Sequence, residues 1–259
     1  ERREDIPPLA AFLLERSAWT LTGLALLLAA TAGHALRLRT EPLTAHVFLV
    51  ALGATVLAIL LDLAMPLVWL PLVVALCEGA LLLAWRYGPR RWEIWRSALD
   101  LWLTALPAAS LGLLLWVADS NWMICTLTLL ALAAATLARG WQQGRPFWLN
   151  AGLALALAGS YTIWAGTGSF AWTSWIGLAP WYAAQTVLLM LGCLVVRRRL
   201  VARLDVAGPE VKTERFNRLY DLEQAIGRAI RGLLILSLVW LGLHSCAVMA
   251  HLTGWGPSP

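Results

Sequence analysis

One carboxylate stands where its surroundings oppose it. Glu78 lies in the run Pro66–Trp85, PLVWLPLVVALCEGALLLAW, with apolar neighbours on both sides. An ionisable group inside a bilayer costs at least about 2.5 kcal/mol on insertion scales, so such a residue points to a partner or a function. Ionised, Glu78 needs a cation or hydrogen-bond donors; protonated, it needs an acceptor. Gln185, at similar depth in a later apolar run, is the first candidate to supply one. The chemistry open to Glu78 is proton carriage, cation coordination, or a hydrogen bond that fixes the packing of two helices. Asp62 and Asp100 lie near the ends of their runs, where solvation or capping accounts for them.

The four histidines form two groups. His34 falls near the end of one apolar run and His46 near the start of the next, so a short antiparallel connection sets both at one depth. Two helices offering histidine at one level is how a bundle ligates haem axially, and a histidine there also suits a quinone. His244 and His251 are seven residues apart on one helical face, about 10 Å apart in height. No second helix offers histidines to match them, and no particular cofactor is implied. His244 joins Glu78 and Gln185 as a polar group within the apolar runs.

Other chemistry is missing from the pattern. There is no Walker loop, nucleophile elbow, HExxH or glycine-rich dinucleotide turn, and Gly166–Thr167–Gly168–Ser169 reads as a flexible loop. Cys77, Cys125, Cys193 and Cys246 fall on four different runs without metal-type spacing and read as small packing residues. An enzyme is disfavoured, and no metal site is expected.

The elements that must hold these residues are membrane helices. Of the 259 residues, 60% are hydrophobic and 14% charged, against roughly a quarter charged in an ordinary soluble domain. The mean hydropathy is +0.70. The runs predict an all-α polytopic bundle of about eight transmembrane helices with short loops. The expected spans are 18–36, 43–61, 66–85, 97–118, 122–138, 147–164, 175–196 and 232–252. Residues 1–16 read as an interfacial segment on the outer side, 17–203 as seven membrane helices, 204–231 as a cytoplasmic amphipathic helix, and 232–259 as the eighth span and an outer tail. The chain begins at Glu1 without Met, which is expected of a processed protein or of a segment of a longer one.

Charge sets the orientation. The loops after spans one, three, five and seven carry Arg37 and Arg39, then Arg86 to Arg96, then Arg139 and Arg145, then Arg197 to Arg203. The loops after spans two, four and six carry no Lys or Arg. By the positive-inside rule this alternation puts the basic loops in the cytoplasm and both termini outside. The seventh span shows the same polarity in one helix, with Trp175, Trp181 and Tyr182 at one end and Arg197, Arg198 and Arg199 at the other. Most of the sixteen tryptophans fall at predicted span ends, as an interfacial belt does, and Trp240 lies deeper. All basic residues but Lys212 are arginine. With the Ala, Leu and Trp richness, this fits a GC-rich bacterial genome and an inner-membrane location. The net charge of +5 sits in topology-setting loops and gives no reason to expect nucleic acid.

Two patterns concern contacts. Ala25, Ala29 and Gly33 in span one, and Gly152, Ala156 and Ser160 in span six, place small residues every four positions, which allows close helix approach. In 209–231, Leu219, Leu222 and Ile226 repeat at helical spacing among Arg215, Arg218 and acidic residues. That face is expected to meet anionic lipid or a partner subunit. The resulting expectation is a non-catalytic membrane subunit or scaffold of a larger complex. The alternatives are a small-solute or proton-coupled transporter, favoured by Glu78, and more weakly a quinone- or haem-handling anchor.

Overall fold

The computed structural model describes residues 23, 25–32, 42–62, 65–87, 93–117, 121–165, 172–207 and 214–252. Among them every regular element is a helix and there is no strand, as long apolar runs require where backbone groups must be satisfied within one segment. The helices are α1 (Pro42–Asp62), α2 (Leu70–Tyr87, entered through a 3₁₀ turn at Leu67–Trp69), α3 (Glu93–Val117), α4 (Trp122–Gln143), α5 (Pro146–Ala165), α6 (Trp172–Ala207) and α7 (Glu214–Leu252). Residues 25–32 are also helical.

Local chemistry sets several ends. Asn121 caps α4 by accepting from the backbone N–H groups of Met123 and Ile124. Gly144 ends α4 at φ +66°, its N–H turned to the carbonyl of Gly140, and Pro146 opens α5 two residues later.

Among the described residues, five stretches are long and apolar enough to cross a membrane: Leu67–Tyr87, Trp95–Trp116, Trp122–Gln143, Leu178–Leu204 and Phe216–Ala250. Ala45–Leu60 in α1 is apolar but shorter. The 20-residue helix α5 is not among these stretches, and Asn150, Ser160, Tyr161 and Thr162 stand among its leucines and alanines. Two of these, Tyr161 and Thr162, bond neighbouring helices.

The helices associate chiefly as hairpins, α2 with α3, α4 with α5, and α6 with α7. The first two hairpins are joined by α2 packing on α4, the last two by α5 packing on both α6 and α7, and α1 lies against α3. The α4 helix is the most enclosed, with 61% of its span buried against 11% for α7. Its seam with α5 is built from glycines. A Cβ added at Gly140 would stand 2.6 Å from the Leu149 nitrogen, and one at Gly152 would stand 2.8 Å from the Leu137 nitrogen. Gly159 closes the seam against Leu129 and Leu130, so the close register is Gly152 and Gly159, whereas Ala156 and Ser160 are only half-buried. The small residues Ala25 and Ala29 are exposed; Gly33 lies outside the described residues.

The expected break between 231 and 232 is absent. The amphipathic segment and the last span form one helix, α7, and α6 likewise runs past its arginines to Ala207. At 1.5 Å per residue these helices measure roughly 54 and 58 Å, about 25 Å more than a bilayer core. Residues 197–207 of α6 and 214–231 of α7 carry most of the charge of this antiparallel pair, with an excess of arginine.

Candidate functional site

The polar groups buried in the bundle converge on Arg139. The sequence places this arginine in a cytoplasmic loop, but α4 continues through it and buries it to 2% exposure. One Nη donates to the carbonyl oxygen of Leu103 at 2.6 Å. The other donates to the Thr104 hydroxyl at 3.0 Å and the Asp100 carbonyl oxygen at 3.3 Å. The guanidinium stands 4.0 Å from the centre of the Trp148 ring, a cation–π distance. The Asp100 carboxylate lies 3.8 Å away and accepts from Gln143 Nε2 at 2.9 Å. One side chain thus joins α3, α4 and α5.

The local reason lies in Pro107. A proline inside a helix has no N–H for the carbonyl four residues earlier. In α3 that carbonyl belongs to Leu103, and Arg139 supplies the donor that Pro107 lacks. Proline is tolerated in membrane helices when a neighbouring helix re-satisfies the freed group in this way. Asp100 is therefore more than a solvated end residue, since it accepts from α4 at both its carbonyl and its carboxylate.

Glu78 faces the interior at 1% exposure, on the Pro71, Ala75, Glu78 and Leu82 stripe of α2 that is buried in the bundle. The expected bond to Gln185 is not made. Gln185 lies on α6, outside the α2–α3–α4 group, and its Oε1 is buried without a partner, as is Glu78 Oε2.

A second polar cluster ties α5, α6 and α7. Trp240 Nε1 donates to the Tyr161 hydroxyl at 2.9 Å, Tyr161 shares a 2.5 Å bond with the Thr186 hydroxyl, and Thr186 donates to its own helix at the Tyr182 carbonyl. The rings of Tyr161, Tyr182 and Trp240 pack with centroids 4.6 to 5.8 Å apart. Tyr182, placed in the aromatic belt by sequence position, is 1% exposed in this cluster. Trp240, the one deep tryptophan of the sequence, is its donor. One helical turn beyond it, His244 is half-buried and its Nδ1 has no partner.

His46 accepts at Nδ1 from Trp102 Nε1 at 3.3 Å, which joins α1 to α3. His34 and His251 fall outside the described residues or side chains, so the proposed His34–His46 pairing is not displayed. No cluster of three metal-ligating side chains occurs among the described residues.

The stripe assigned to lipid or a partner is largely covered by this chain. Leu222 and Ile226 are each 3% exposed and pack with Leu149, Cys193 and Leu200, with Leu219 partly buried beside them. The cause is the length of α6, which reaches far enough to line that face. Arg218 packs its stem against Gly144, and the Arg215 side chain is outside the described set. Arg197 Nε bonds Glu223 at 2.7 Å across the hairpin. Arg139 was missed in the sequence because a base at the end of an apolar run reads as a loop charge; its distance from Pro107 along the chain hides their relation.

Compared with known protein families, curated proteins and solved structures, the chain matches none.

Proposed function

We propose that the chain is a non-catalytic integral subunit that scaffolds a larger complex in a bacterial inner membrane, crossing it eight times with both termini outside. The observation that carries this reading is the α6/α7 hairpin. It extends beyond bilayer length, its inner seam is sealed by Leu200, Leu222 and Ile226, and it turns Arg198, Arg199, Arg203 and Tyr220 outward. A sealed, rigid, basic projection suits docking of an acidic partner surface. The buried polar groups of Arg139 and Tyr161 are largely engaged in helix-to-helix bonds, which fits a framework.

The test is native mass. Extracted from its own membranes into nanodiscs, the protein should run well above its 28.3 kDa chain mass. The double variant Arg198→Glu, Arg199→Glu should lose the excess mass while keeping its helical circular dichroism. A monomeric mass for the unaltered protein sinks the proposal. One observation favours a second reading, proton-coupled transport: Glu78 is fully buried with an unpartnered carboxylate oxygen. Under that reading Glu78→Gln abolishes transport in a folded protein. A quinone- or haem-handling role is the weakest, and the absence of a Soret band from the purified protein would remove haem.

A further inference from the structure

Several buried polar atoms of α2 and α4 have no hydrogen-bond partner, among them Trp85 Nε1, Thr128 Oγ1, Gln142 Oε1 and Gln143 Oε1, and three of them share one layer: Glu78 Oε2, Thr136 Oγ1 and Arg139 Nε. Their residues are 1%, 2% and 2% exposed. Helix register brings them together. The Ser110 hydroxyl of α3 donates to the Pro71 carbonyl of α2 at 2.8 Å. These helices are antiparallel, so seven residues along each from that bond lie Leu103 and Glu78. Arg139 donates to the Leu103 carbonyl, which puts Glu78 and Arg139 in one layer. Thr136, three residues before Arg139, is about 4.5 Å from it along the axis.

Facing agrees with depth. The side of α4 toward α5 carries Thr126, Leu130, Leu137 and Gly140. Thr128, Leu132, Thr136 and Arg139 recur at helical spacing on another side, all buried, which leaves that side for α2 and α3, the other helices packed on α4. The buried stripe of α2 that answers them contains Glu78.

Leaving three such atoms dry is unfavourable, and buried water typically carries about three bonds to polar groups of this kind. We propose that Glu78, Thr136 and Arg139 build an internal water site between α2, α3 and α4. Ordered water there joins the Glu78 carboxyl to the Arg139 guanidinium and the Thr136 hydroxyl. Arg139 from α4 and Asp100 from α3 are the charged groups of this layer, and the Asp100 side chain, 47% exposed, connects it to the surface. The site is independent of the docking proposal, since it involves neither α6 nor α7.

Radiolytic hydroxyl-radical labelling of the protein in nanodiscs tests it, because radicals form at bound water. Glu78 and Thr136 should be modified several-fold faster than Leu103 and Leu132, which are 0% exposed. Thr136→Val removes one water ligand at nearly constant shape, so labelling at Glu78 and the melting temperature should both fall. Labelling of Glu78 no faster than of Leu132 overturns the site. So does a Thr136→Val protein that melts higher, since deleting an orphan hydroxyl from a dry core stabilises it. Glu78→Gln keeps a hydrogen-bonding head and should retain labelling at Thr136; its loss in that folded variant counts against the proposal.

Discussion

The guanidinium of Arg139 donates to the carbonyl oxygen of Leu103, the carbonyl that Pro107 leaves without an intrahelical donor. The proline and the arginine are separate in sequence and function as one unit in the bundle. Arg139→Met should therefore destabilise the protein by about 1–3 kcal/mol, the range for a buried carbonyl losing a charged donor. Pro107→Ala restores an N–H for Leu103, so the double variant should lose less than the sum of the singles, with a coupling of about 1 kcal/mol. Thermal unfolding in detergent for the four proteins measures this, and strict additivity would refute it.

Arg139→Lys is expected to fare little better than Arg139→Met. A single ammonium has no planar fork to reach Leu103, Thr104 and Asp100 together, and stacks less well on Trp148. A lysine variant as stable as the original protein would show that charge alone matters at this position.

The glycine seam gives a comparison within one protein. Gly140→Ala and Gly152→Ala push a methyl against backbone atoms of the facing helix and should each cost about 1–3 kcal/mol. Gly112→Ala and Gly192→Ala, where nothing stands within 4 Å, should be neutral or stabilising. Equal effects at all four sites would mean that α4 and α5 are not in this register.

Tyr161→Phe removes the hydroxyl between Trp240 and Thr186. The expected loss is about 1 kcal/mol, with a changed Trp240 fluorescence in a protein where the other tryptophans are replaced. An unchanged emission and stability would dismiss the link.

Orientation has its own check. A single cysteine at Ser120 should react with an impermeant thiol reagent from outside, and one at Arg90 only after permeabilisation, in a background lacking the native cysteines. The opposite pattern would reverse the proposed topology.

The helical class and the long apolar elements were legible because they rest on composition and run length, which act locally. The interior position of Glu78 was legible for the same reason: lipid forbids the alternative. Its surroundings were not. Gln185 has suitable depth and chemistry, yet helix adjacency, which sequence alone does not give, puts it on α6, away from the α2–α3–α4 group that encloses Glu78. Gly152 was recognisable as a contact residue, whereas the seven-residue step to Gly159 depends on the crossing of two particular helices. The hairpin stripe at Leu222 and Ile226 reads as an unpartnered face only until the length of α6 is known.

That length has a mechanical consequence. In the proposed topology the α6 and α7 helices pass from the membrane pair into the basic projection without a break, and so form a stiff lever with its fulcrum at the headgroups. For an arm of roughly 25 Å, a change in tilt of about 10° displaces the tip by about 4 Å, with no hinge to absorb it. In that topology, a change in bilayer thickness or a neighbour that leans on α7 within the membrane is transmitted as movement of Arg203 and Tyr220 at the tip.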